Sequence, residues 1–498
     1  MQDHTPQKAR KKPFLAPDFV RAMLAGHSAL GIAFAALIYI VCLTGTLCVF
    51  LHELQRWEQP DAPVASAPLT TEAAATAVEQ GYRKALAANA AHDLFIMGPS
   101  PVQSRVLVNF HDHDTGVEGN WIANDKGELI VENTAPWSEF VGDLHMHLHL
   151  PRTFGLFLVG LTGVALLSSL VSGLLSHPRL FKDAFSLRWG GSRRLQEADL
   201  HNRLGVWGLP FHVVVSTTGA LLGLSTLIVG VLALAAYDGD SEKAFATILG
   251  PHPTEDETAA PVPDIAAMIR AIQAEKQDAE FASANFGHIA KIGQIVHLGM
   301  RTPGHLANSN SYYFDGSGKR LGDGGLESGT IGQQILGALQ PLHFGWFGGF
   351  AVKVVYAVLG LALTFVTHSG VAIWLARRRD AGRPTPFWET IWAAVTWGQP
   401  LAIAAAAIAI FSGGEAFALA AYVGTTVACL IAAPFAGDAS RLTQLLRALS
   451  GIAILAAVAL HGALWASRAT DPMFFWATAA MAACGLIVLA SARHRPTV

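Results

Sequence analysis

Histidine is the residue type whose placement in this sequence could carry chemistry: 20 occur in 498 residues, many beside or inside apolar runs. Four residues after His201 comes Gly205, and Thr218-Gly219 follow at seventeen and eighteen. The same frame occurs once before, as His27, Gly31 and Thr44-Gly45. A second frame aligns LVGLTGVALLSSLVSGLLSHP (158–178) with VVYAVLGLALTFVTHSGVAIW (354–374), setting Ser172-Gly173 against Ser369-Gly370. His145 lies 28 residues before Gly173, and His343 lies 27 before Gly370. A duplicated unit therefore supplies two pairs, His27 with His201 and His145 with His343. Imidazoles from two helices of a bundle are the usual axial ligands of a b-type haem. There is no C-x-x-C-H for covalent attachment, and the first four apolar spans hold no internal Asp or Glu for a non-haem metal or a proton path.

The elements that must position these histidines are membrane helices. The chain is 52% apolar and only 14% charged, which is membrane-protein usage. A net charge of −3 without a basic stripe gives no footprint for nucleic acid. The expected order is a basic N-terminus 1–23, spans at 24–51 and 151–177, a basic loop 178–203, and spans at 204–236 and 346–377. A linker 378–388 and four further spans within 389–491 follow, making eight. Lys8, Arg10, Lys11, Lys12 and Arg21, then Arg179, Lys182, Arg188, Arg193, Arg194 and Arg203, then Arg377, Arg378 and Arg379 collect on one side. Arg495, after the last span, falls on that side too. The positive-inside rule makes this side and both termini cytoplasmic. The polar segments 52–150 and 237–345, the second with an acidic start that includes Glu255 and Glu257, then lie outside as two small α+β domains. In the first, Thr70 and Thr71 cap a helix and strands follow at 94–98, 105–110, 118–123 and 128–133. In the second, PDIAAMIRAIQAE is the helix, and GQIVHLGM and SYYFDGSGKRL are the strands.

Other histidines qualify as alternates. His212 takes the place of Ile38 in the first frame and His368 that of Val171, each about 13 Å inside the cytoplasmic edge at about 1.5 Å per residue. Equal depth makes them a further ligand pair or hydrogen-bond partners to a propionate, and a relay there stays open because the residues between His343 and His368 amount to about 37 Å of continuous helix. His149 and His177 flank the second span. Outside the membrane, His111, Asp112, His113 and Asp114 alternate imidazole and carboxylate, a pattern able to hold a transition metal or meet an iron-bearing substrate, or to be a solvated loop.

HSALGIAFAALIYIVCLTGTL, DLHMHLHLPRTFGLFLVGLTG, DLHNRLGVWGLPFHVVVSTTGALLG and LHFGWFGGFAVKVVYAVLG resemble the PepSY-associated transmembrane family, over about residues 20–380. One branch of that family contains ferric-siderophore reductases. The resemblance implies a duplicated four-helix haem-binding core, two PepSY-like periplasmic domains and b-type haems, two in number with a third open. It places the haem ligands on His27, His145, His201 and His343. It implies electron flow from a cytoplasmic or quinone donor to a ferric siderophore or another periplasmic iron chelate. A siderophore transporter, a PepSY sensor or inhibitor module, and a donor to a periplasmic oxidoreductase are the rival readings. The last four spans lie outside the family pattern.

Overall fold

The computed structural model describes residues 15–177, 193–254, 256 and 258–494. The basic residues Lys8, Arg10, Lys11, Lys12, Arg179, Lys182, Arg188 and Arg495, and Glu255 and Glu257, lie outside the described residues, as do the side chains of Arg193 and Arg194. The chain begins with α1 (Pro17–Ala33), α2 (Ala35–Cys48), α3 (Leu51–Glu58) and α4 (Thr71–Ala87). Strands β1 (Asp93–Met97), β2 (Val106–His111), β3 (Glu118–Ala123) and β4 (Leu129–Glu132) precede α5 (Pro136–His147) and α6 (Arg152–Ser176). The second half repeats this order: α7 (Arg193–Trp207), α8 (Leu209–Gly223), α9 (Ser225–Ala236), α10 (Ser241–Leu249) and α11 (Ile265–Glu275). Then come β5 (Glu280–Gly287), β6 (Ile295–Arg301), β7 (Asn310–Asp315), β8 (Arg320–Asp323), α12 (Ile331–Phe344) and α13 (Gly349–Asp380). The C-terminal group is α14 (Pro386–Phe411), α15 (Ala418–Ala432), α16 (Ala439–Trp465) and α17 (Met473–Ser491).

The protein is a multi-pass membrane protein. Six helices are long and apolar enough to cross a membrane, and two bent pairs raise the number to eight. Both bent pairs fall where a straight span was expected. α1 and α2 meet at 68°, and α7 and α8 at 69°, so the two repeats share the bend. At α8 the cause is legible, since Pro210 in its first turn cannot continue the α7 hydrogen-bond ladder. No proline marks the equivalent break at Phe34. The expected single span at 204–236 is thus the end of α7 followed by α8 and α9.

The two expected α+β units form one sheet. Eight antiparallel strands run in the order β4-β3-β2-β1-β5-β6-β7-β8, and the halves join where β1 pairs with β5, Asp93 opposite Gly287 and Met97 opposite Ser283. Joining the two inner edges satisfies backbone groups that would otherwise be open to other chains. β5 was absent from the sequence reading because EFASANFG has no β-branched residue and no clean alternation. α4 and α11 bury Ala77, Val78, Ile269 and Ile272 with Leu94, Val108, Phe281 and Phe286 of the sheet. The Thr70 hydroxyl caps α4 by accepting from Ala73 N at 3.1 Å, as its sequence predicts.

α14–α17 attach to the first repeat. Arg56 of α3 donates twice to Asp471, at 2.7 Å each, and Trp57 Nε1 donates to Thr478. Trp57 also stacks on His461 with ring centres 3.8 Å apart. Lower in the bundle, the Tyr39 hydroxyl donates to Thr396 O at 2.8 Å.

Candidate functional site

The four histidines of the repeat meet as two cross-repeat pairs. His27 and His201, on the bent helices α1 and α7, have ring centres 6.3 Å apart at 75°. His145 and His343, on the short helices α5 and α12, have ring centres 6.2 Å apart at 25°. Two metal–imidazole bonds of about 2 Å plus two ring radii make about 6 Å, so each gap matches one ion held between two rings.

The Thr-Gly and Ser-Gly dipeptides of the repeat are the seats of these rings. His145 Nδ1 donates to Val41 O at 3.0 Å, with the Thr44 hydroxyl at 3.4 Å. His343 Nδ1 donates to Thr218 Oγ1 at 3.0 Å, while that hydroxyl donates to Val214 O. His27 Nδ1 donates to Ser169 O at 2.8 Å, and His201 Nδ1 to Ser369 Oγ at 3.0 Å. A proton fixed on Nδ1 leaves the Nε2 lone pair for a metal, the arrangement that orients histidine ligands generally. The glycines supply the space. A Cβ on Gly45 or Gly219 would come within 2.7 and 2.9 Å of the His145 and His343 rings, and on Gly173 or Gly370 within 3.1 and 3.4 Å of His27 and His201.

The pairs lie at two levels of one bundle made by α2, α6, α8 and α13. On α6, Gly163 touches Ala220 beside the outer seat, and Gly173 is the inner seat. On α13, Gly360 touches Thr46 beside Gly45, and Gly370 is the inner seat. Ten residues separate the levels on both helices, about 15 Å along the axis. The expected 37 Å of continuous helix after His343 does not exist. α12 ends at Gly345 with φ 72°, α13 begins at Gly349, and His343 is returned alongside α8.

Around the inner pair is a cavity of about 240 Å³, lined by Gly31, Gly205, Leu363, Asn202, His177 and Arg377 among others. Sequence alternate His177 thus faces the inner space. His149 is turned elsewhere: its Nε2 donates to Phe140 O at 2.9 Å and its ring stacks on Phe140 at 4.4 Å. His212 and His368 are not set ring to ring as the two pairs are. His212 is fully buried against Gly208, its ring set between the backbone carbonyls of Gly205 and Leu359. His368 faces α14, with Nδ1 3.2 Å from Thr396 Oγ1 and its ring stacked on Trp392 at 6.2 Å.

At the far end of the sheet, the alternating His-Asp stretch gathers partners that sequence did not suggest. His92 stacks on His288 at 5.6 Å and lies 5.8 Å from His113, which bonds Asp93 at 2.9 Å. His111 meets the His113 ring at 4.6 Å, and Asp114 pairs with His92 at 3.4 Å. Asp112 is consumed structurally, accepting from Ala91 N, Thr115 N and the Thr115 hydroxyl, which holds its carboxyl well below the usual range. Among the described residues no three His, Cys, Asp or Glu side chains are arranged to hold a metal ion.

Two buried groups near the outer pair escaped the sequence reading. Lys353, 1% exposed in α13, donates to both oxygens of Glu53 at 2.7 and 2.8 Å. Its signal was plain, a lone cation in an apolar run. His52 of α3 stacks against Trp346 at 5.4 Å.

Residues 24–377 match the family model described as the PepSY-associated TM region. An uncharacterised protein of Pseudomonas aeruginosa is 30% identical over 253 residues, 48% of this chain and 64% of that protein. The repeat that places the four histidines lies within the matched region, and the chain belongs to the PepSY-associated transmembrane family.

Proposed function

We propose that this protein is a b-type haem protein of a bacterial inner membrane, carrying electrons from a cytoplasmic or quinol donor to a ferric chelate at the sheet side, as a ferric-siderophore reductase does. The observation that carries this reading is the pair of facing imidazoles, twice, each with Nδ1 committed to a seat and ring centres 6.3 and 6.2 Å apart. Haem, when bound, supplies one-electron carriage. His27 with His201 and His145 with His343 are the ligands that would hold two haems. Their Nδ1 bonds fix tautomer and ring plane, and the seat glycines let a flat group approach the backbone. Arg377 and Asn202, in the inner cavity, suit the carboxylate edge of the group there. The two levels lie about 15 Å apart along the axis, so transfer between them needs no third haem. Each electron delivered converts one ferric ion to ferrous, and the donor is left oxidised by one equivalent.

A visible spectrum of the purified full-length protein tests this first. A Soret band, and an α band on dithionite reduction, are expected with two haems per chain by pyridine haemochrome. A colourless protein removes the reading and favours a sensor or inhibitor module. Re-oxidation of the pre-reduced protein by a ferric chelate, with ferrous iron appearing, separates a reductase from a donor to another protein.

A further inference from the structure

His52 is enclosed where α3, the sheet and the start of α13 meet, and neither of its ring nitrogens has solvent access or a bonding partner among the described residues. A buried polar group left unbonded costs about 1–3 kcal/mol, so such a residue signals an incomplete site. Beside it stands Arg105 at the foot of β2, 3% exposed. Its guanidinium donates to the carbonyls of Gln55 at 3.2 Å and Gln59 at 2.5 Å, and its Nε donates to nothing among the described residues. The other two cations acting on His52 are matched by acids: Lys353 by Glu53, and Arg56 by Asp471. Among the described residues the Arg105 guanidinium bonds only backbone carbonyls, and the carboxylates of Asp471, Asp61 and Glu58 act on it without bonding it. A buried cation without a bonded carboxylate, next to a buried imidazole without any bond, selects an anion.

The place of this site narrows the anion. His52 follows Gly45, the seat of His145, by seven residues across the break between α2 and α3, toward the sheet. From the other side, its ring is 5.4 Å from Trp346, which stacks on Phe344 at 4.5 Å, which lies 5.1 Å from His343. Both lines start at the outer pair and end at His52. We infer that His52, with Arg105, binds a carboxylate at the rim of the group held between His145 and His343, a haem propionate. This rests on the haem reading, and it makes His52 a positioning residue of the outer site.

The test uses full-length wild type, His52→Ala and His52→Gln, with spectra and potentials taken free of chelate and the Kd for ferric citrate measured separately. Haem per chain, both midpoint potentials and the propionate-bending bands in resonance Raman are measured. Two haems are expected in all three proteins. In His52→Ala one potential moves down and one bending band shifts, because an undonated carboxylate puts more negative charge beside the iron. His52→Gln keeps an N–H donor and stays near wild type. Haem-loaded His52→Ala with both potentials and all bands unmoved overturns the inference alone. The same silence together with a weakened Kd for ferric citrate assigns the carboxylate to the chelate and overturns it as well. Wild type without haem overturns the parent reading, and this one with it.

Discussion

The inner pair, His27 and His201, rides on helices bent 68° and 69° away from the bundle and faces a cavity of about 240 Å³. The outer pair, His145 and His343, rides on short helices, α5 packed against α2, α6 and α14, and α12 packed against α8. Ring separation and Nδ1 commitment are alike in both. The seats differ in tightness, since the outer glycines leave less room (2.7 and 2.9 Å) than the inner ones (3.1 and 3.4 Å). Duplication preserved what a ligand pair needs, and the surroundings diverged. In the proposed function the open inner site suits exchange with a donor, and the enclosed outer site suits a set potential.

The largest effects test the pairing itself. His201→Ala should cost one haem equivalent and spare the outer haem, and His343→Ala the reverse, read by haem-to-protein ratio and low-temperature α bands. Full haem in both variants would end the comparison, because there would be no two sites to compare.

The next effect belongs to the outer site alone. Glu58, 4% exposed, caps α5 by accepting from Trp137 N and Ser138 N, and α5 carries His145. Burial pushes its carboxyl up to about 7, more than those bonds pull it down. The folded state therefore keeps its proton where the unfolded chain has already lost it. Stability should fall as pH rises from about 4.5 to about 7, by up to about 3 kcal/mol, then level off. Burial pushes the Glu139 carboxyl of α5 up to about 7 as well, so thermal midpoints against pH should show this slope in wild type and a shallower one in Glu58→Gln. A slope left unchanged by the substitution assigns it to Glu139 or another group.

Tightness at the seats is the third discriminator. Gly45→Ala forces the His145 ring or α2 to shift, at about 1–3 kcal/mol, and should lower outer-haem occupancy about tenfold. Gly370→Ala meets His201 at ordinary contact distance and should leave inner occupancy within about twofold. Equal losses would show that the glycine contacts do not distinguish the sites.

Much of this was legible because duplication leaves an arithmetic trace. Equal spacing from histidine to Thr-Gly named His27 and His201, and the Ser-Gly alignment named His145 and His343. What spacing cannot carry is where the chain turns back. Gly345 and the chain reversal after it are local backbone events, so His343 read as the head of a long helix and His212 with His368 looked like a needed relay. The sheet's unity was hidden for a related reason: β5 is small and polar, and only its pairing with β1 on one side and β6 on the other makes it a strand. His52 lies four residues beyond the end of α2 and reads as part of the polar segment, though its neighbours Lys353 and Arg105 come from 301 and 53 residues away.

The smallest expected effect separates the anchors within each pair. Thr218→Val keeps shape and deletes the side-chain acceptor of the His343 Nδ1 proton, leaving the Val215 carbonyl, at about 1 kcal/mol and so about fivefold in outer-haem affinity. Ser369→Ala should do the same to His201 at the inner site. Thr44→Val should do less, because His145 Nδ1 lies closer to Val41 O, at 3.0 Å, than to the hydroxyl at 3.4 Å. His27 has no such handle, since its acceptor at 2.8 Å is the Ser169 backbone carbonyl, which no side-chain substitution removes. The carbonyls of Val215 and Val366 also bond the His343 and His201 rings, at the places of Val41 and Ser169 in the first repeat, so the second repeat adds a hydroxyl at close range to a shared main-chain anchor. Haem affinities of the three variants, measured by competition with apomyoglobin, should rank Thr218→Val and Ser369→Ala together above Thr44→Val. An equal loss in Thr44→Val would mean that the Thr44 hydroxyl holds His145 as firmly as the Thr218 hydroxyl holds His343, and that the added hydroxyl contact does not set the second repeat apart.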